Sequence, residues 1–67
     1  MDVAAELKTI ITRAQRQGWR IDLRGDRLYL YAPDERGVVI VDGAPADRRA
    51  LDQIVERMRR YGFEPPV

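Results

Sequence analysis

The sequence predicts an α+β domain of order α-β-β-β-α, a three-stranded antiparallel sheet with two helices packed on one face. Three observations carry that reading. The stretch Trp19–Val41 alternates like short strands separated by two turns. The segments on either side of it place their apolar residues at helical spacing. Each of those segments ends on a glycine followed by an aromatic, Gly18-Trp19 and Gly62-Phe63, the signature of a left-handed helix stop closed by an apolar contact.

Asp2 is placed to cap a first helix over residues 3–17, in which Val3, Leu7, Ile10, Ile11 and Ala14 form one stripe. The first strand spans about 19–24 and the second about 27–32. Gly25-Asp26 is a two-residue turn signal. With that turn Leu23 faces Leu28, Ile21 faces Leu30, Asp22 faces Tyr29 and Arg20 faces Tyr31. Apolar residues then meet on one sheet face, and arginine, aspartate and tyrosine on the other. Pro33-Asp34-Glu35-Arg36-Gly37 follows as a polar loop, with Gly37 free to adopt positive φ. The third strand, Val38–Val41, is uniformly apolar, so periodicity does not orient it. A five-residue loop turns Val38 and Ile40 inward and places Val39 and Val41 beside the tyrosines, whereas a four-residue loop reverses this. After a break at Asp42-Gly43-Ala44-Pro45, a second helix from about Ala46 carries Ala50, Leu51, Ile54, Val55, Met58 and Tyr61 on one stripe. Arg48–Asp52 and Glu56–Arg60 are i,i+4 pairs on its polar side. The expected core is Val3, Leu7, Ile10, Ile11, Ala14, Trp19, Ile21, Leu23, Leu28, Leu30, Leu51, Ile54, Val55, Met58 and Phe63. One domain covers residues 1–67, ordered over about 2–63, with 64–67 a loose tail.

Composition narrows the chemistry. There is no cysteine, histidine or serine, which leaves no disulfide, no Cys/His metal site, and no histidine or serine for acid–base or nucleophilic catalysis. Asp34-Glu35 and Asp42 are turn formers, so neither a metal nor another cofactor is expected. No apolar run approaches the ~20 residues of a bilayer span, and the first residues lack the basic start and long apolar core of a signal peptide. No membrane role is expected, and a cytoplasmic protein is the default. Net charge is +1, yet eleven arginines stand against a single lysine, Lys8. Guanidinium forks suit phosphate and carboxylate better than ammonium does.

Several of these residues together resemble a known family. Gly18-Trp19 after the first helix, Gly25 in the hairpin turn, an aromatic second strand and a Pro-Asp loop are similar to HicA-type mRNA interferase toxins. A short apolar third strand and a closing helix ending in Tyr61-Gly62-Phe63 continue the similarity, over roughly Val3 to Phe63. The resemblance implies a fold of the double-stranded-RNA-binding-domain type. In that family the turn after the first strand reads Gly-Ser-His, and the histidine cleaves RNA. Here the same positions are Gly25-Asp26-Arg27, so the resemblance transfers a turn glycine and no catalytic residue, and the chain leans away from enzyme activity.

Two surfaces are candidates. Proteins of the implied fold bind duplex RNA or DNA backbone through the first helix, the first turn and the start of the second helix. Those places hold Lys8, Thr12 and Arg16, then Arg24 and Arg27, then Arg48 and Arg49. The leading expectation is thus a non-catalytic HicA-like module that binds nucleic acid in a toxin–antitoxin-like or phage–host regulatory system. The second candidate is the outer sheet face, with Arg20, Tyr29, Tyr31, Val39 and Val41 as contact residues for a protein partner or a homodimer. Its functional reading is a small adaptor or inhibitor with no nucleic-acid role.

Overall fold

A computed structural model describes residues 2–66; Met1, and Val67 of the tail expected to be loose, lie outside the described residues. The elements follow the predicted order: α1 Val3–Arg16, β1 Arg20–Arg24, β2 Arg27–Tyr31, β3 Val38–Asp42 and α2 Arg48–Arg59. The three strands form one antiparallel sheet in the order β1-β2-β3.

Local chemistry sets the helix ends. Asp2 accepts a hydrogen bond from the Ala4 N–H at 3.0 Å, which satisfies one of the orphan donors of α1. Asp47 does the same for α2 through the Ala50 N–H at 2.9 Å. Because Asp47 is the cap, α2 begins at Arg48 rather than near Ala46, and Pro45 lies outside the helix. Both helices stop in the same way. Trp19 N–H bonds back to Ala14 O and Gly18 N–H to Gln15 O, while Phe63 N–H bonds to Met58 O and Gly62 N–H to Arg59 O. Gly18 (φ 96°) and Gly62 (φ 92°) take the left-handed conformation that this reversal requires.

Those stops aim Trp19 and Phe63 inward, where their rings meet edge to face at 6.1 Å. At the other end Arg48 reaches Glu6, Nη1 to Oε1 at 2.6 Å. With starts paired and stops paired, the two helices run side by side in one direction across the sheet. The core between them and the sheet holds Ile10, Ala14, Trp19, Leu30, Ala32, Val39, Val41, Ile54, Met58 and Phe63, with Ile21, Leu28 and Val55 packed against it. Each large side chain fully buried there contributes about 1.5–3 kcal/mol.

The first hairpin has the predicted register at every pair, Arg20↔Tyr31 through Leu23↔Leu28. Leu23 is nevertheless 69% exposed, a correction to the expected core. It lies on the helix side of the sheet by register, one pair from the hairpin turn, where most of its surface stays open to solvent.

The β2–β3 loop takes the four-residue alternative. Ala32 N–H bonds Gly37 O at 2.9 Å, which leaves Pro33–Arg36 as the loop. Glu35 N–H donates to Ala32 O, Arg36 N–H donates to the Asp34 carboxylate, and Glu35 carries the positive φ (61°) expected at Gly37. Glycine is needed at 37 for another reason: a Cβ there would overlap the Tyr61 ring. The tail corrects in part as well. Gln17 clasps the Glu64 backbone, Nε2 to Glu64 O at 2.7 Å and Glu64 N to Oε1 at 2.9 Å, and Arg13 Nε adds a bond to the same carbonyl. The i,i+4 pair Arg48–Asp52 forms at 3.2 Å, whereas Glu56 pairs with Arg59 instead of Arg60.

Candidate docking surface on the open sheet face

Period-two alternation delivers every second residue of the three strands to the face away from the helices. The registers arrange these in three rows across the sheet: Arg20, Tyr31 and Val38, then Asp22, Tyr29 and Ile40, then Arg24, Arg27 and Asp42. The loop length fixes the third column. Val39 and Val41, named from the sequence as interface residues, are 2% and 5% exposed and belong to the core. Val38 and Ile40 take their place on the open face, at 43% and 46% exposure. The signal that could have found them is the turn chemistry of Pro33–Arg36, since nothing within Val38–Val41 distinguishes one side from the other.

Contacts within the face are consistent with these rows. Tyr29 and Tyr31 stack at 6.4 Å with 14° between planes. The Arg20 guanidinium lies 5.3 Å from the Tyr31 ring centre and that of Arg24 lies 5.5 Å from Tyr29. Arg24 Nε also bonds Asp22 Oδ2 at 2.8 Å, and Arg27 faces Asp42 at 3.7 Å. The hydrogen bond and charge of Asp22 hold the Arg24 guanidinium above its ordinary pKa. The face is therefore a pair of half-buried tyrosines and two exposed aliphatics, bordered by the ion pairs Arg24–Asp22 and Arg27–Asp42 and by Arg20 over Tyr31. A base stacking on these tyrosines would have to displace the arginines lying over them.

The residues predicted for nucleic acid divide among three places. Lys8, Thr12 and Arg16 line one exposed strip of α1, beside a shallow concavity shared with Arg13, Gln17 and Glu64. Thr12 Oγ1 donates to Lys8 O at 3.0 Å, which occupies its proton within the helix. Arg24 and Arg27 stand opposite each other on the sheet face, on the other side of the molecule from the helices. Arg48 is held by Glu6 and Asp52, while Arg49 beside it is exposed. Three of the five predicted arginines thus have carboxylate partners.

A second feature of this region had no counterpart in the sequence reading. Arg57, Arg60 and Tyr61, at the end of α2, border depressions beside the outer edge of β3. Among the described residues, no cluster of three or more acidic side chains could hold a metal ion, and no helix is long and apolar enough to cross a membrane.

The class defined by fold and surface is a small α-β-β-β-α domain with one covered and one open sheet face. No protein-family model matches the chain, and neither curated proteins nor solved structures contain a match to it.

Proposed function

We propose that this chain is a non-catalytic, cytoplasmic, HicA-like docking module that contacts a protein partner through its open sheet face. One observation carries the reading: Tyr29, Tyr31, Val38 and Ile40 adjoin across β2 and β3 on a face no helix covers. Tyrosine and arginine around exposed aliphatics is the composition that protein contacts favour. The resemblance to HicA-type toxins supplies the setting, a toxin–antitoxin-like or phage–host regulatory system. The turn at Gly25-Asp26-Arg27 supports the non-catalytic part, because the chain has no histidine and Arg27 there faces Asp42. Replacing Tyr29 and Tyr31 together by glutamate puts two carboxylates at the centre of the contact. Loss of the partner or of the dimer mass is the expected result, and an unchanged mass with unchanged capture overturns the reading.

Nucleic-acid binding is the second reading, favoured by the strip of Lys8, Thr12 and Arg16 along α1. Such a surface holds phosphates and not bases, so its affinity falls steeply with salt. It is tested with duplex RNA and DNA at about 50 mM salt, where phosphate contacts are strong. Absence of binding, with no effect of Arg16→Glu and Arg49→Glu, excludes it.

A further inference from the structure

The sheet has two outer edges, and they differ in what they offer an incoming strand. β3 pairs with β2 on one side only. Ala32 N–H to Gly37 O and Gly43 N–H to Asp26 O mark the hydrogen-bonded pairs of that ladder. Alternation in an antiparallel ladder then turns the N–H and C=O of Val38, Ile40 and Asp42 outward, away from β2. The strand carries neither proline nor bulge and no basic side chain, the devices that usually protect an edge. Its outward aliphatics, Val38 and Ile40, are about half exposed. On the helix side, the same edge is bordered by Arg57, Arg60 and Tyr61, with Arg57 lining both depressions along the strand. Among the described residues, no carboxylate lies within 4.0 Å of Arg57 or Arg60.

We infer that the β3 edge accepts an extended segment of a partner protein as a fourth strand, and that this segment alternates apolar with acidic residues. Residues of the added strand opposite Val38 and Ile40 share their face and extend the apolar patch around Tyr29 and Tyr31. The residues between them point to the helix side and meet Arg57 and Arg60. Main-chain hydrogen bonds supply affinity and the alternating side chains supply specificity. A second copy is the poorer occupant. Antiparallel pairing about Ile40 would bring Arg57 and Arg60 of both copies together, and Asp42 faces Arg27 on the opposite side of the sheet, where it cannot offset them. The inference rests on the protein-docking reading and specifies its partner's chemistry.

The test uses the whole protein and two blocked peptides, one alternating valine with glutamate and one alternating valine with lysine. Binding and amide hydrogen exchange are followed by NMR. The glutamate peptide is expected to slow exchange at Val38, Ile40 and Asp42 and to bind about ten-fold more tightly than the lysine peptide. Arg57→Glu with Arg60→Glu, both exposed and away from the core, is expected to reverse that preference with the circular dichroism spectrum unchanged. Equal binding of the two peptides, protection at Ile21 and Leu23 of the β1 edge instead, or self-association that the peptide does not compete with each overturns the inference. Tyr29→Glu with Tyr31→Glu separates it from the reading on which it rests. If that variant loses the partner while peptide binding was never present, the face is the contact and the edge is not.

Discussion

The two edges of the sheet are built from strands of equal length and opposite character. β1, Arg20–Arg24, sends Arg20, Asp22 and Arg24 to the open face and ties two of them together. β3, Val38–Asp42, sends Val38, Ile40 and Asp42 to the same face, its one charge being the last residue, beside Arg27. Any strand approaching β1 must desolvate an ion pair and a guanidinium lying on a tyrosine, whereas one approaching β3 meets two aliphatics, the Asp42 carboxylate at one end and three outward backbone groups of each kind. The difference teaches that two edges of one sheet can impose unequal desolvation costs on an added strand.

The largest effect comes from removing what carries both edges. Leu30 is fully buried in the central strand, under both helices. Leu30→Ala should cost about 2–5 kcal/mol in urea unfolding, enough to unfold a domain this small. If stability survives, the strands are held by pairing more than by the core.

A smaller effect isolates the β3 side. Gly37→Ala adds a methyl group where the Tyr61 ring sits, so a loss of about 1–3 kcal/mol is expected. Combining it with Tyr61→Ala should recover part of that loss, because the clash then has no second partner. An additive double variant would place the cost elsewhere in the loop.

The smallest effect on stability is the sharpest for the comparison. Leu23 and Ile40 are both exposed aliphatics, one beside each edge. Ile40→Lys and Leu23→Lys should each change stability by less than about 0.5 kcal/mol, as exposed substitutions do. Ile40→Lys should abolish binding of the glutamate–valine peptide, and Leu23→Lys should leave it intact. Equal losses from the two would erase the distinction between the edges.

Much of the fold was legible because its signals are local. A capping aspartate at position 2, glycine–aromatic stops at 18–19 and 62–63, and a two-residue turn at 25–26 act through their immediate neighbours. The first hairpin register follows from that turn alone. Much of the candidate site was not legible. Arg24, Arg27 and Arg48 count as available cations in a sequence, yet each finds a carboxylate, two of them on other elements. The groove beside β3 joins residues 38–40 to residues 57–61, which no spacing rule connects.

What the sequence determined by itself was the order of elements, the apolar stripes of the helices, the inner and outer faces of β1 and β2, and the absence of histidine and cysteine chemistry. What only the tertiary structure decided was the orientation of β3. Four consecutive aliphatics carry no period, so their facing depends on a hydrogen bond between Ala32 and Gly37 and on a tyrosine ring, from the far end of the chain, resting where a side chain at 37 would be. One residue more in that loop would have buried Val38 and Ile40 and exposed Val39 and Val41, because a side-chain period of two turns every one-residue slip into an exchange of faces.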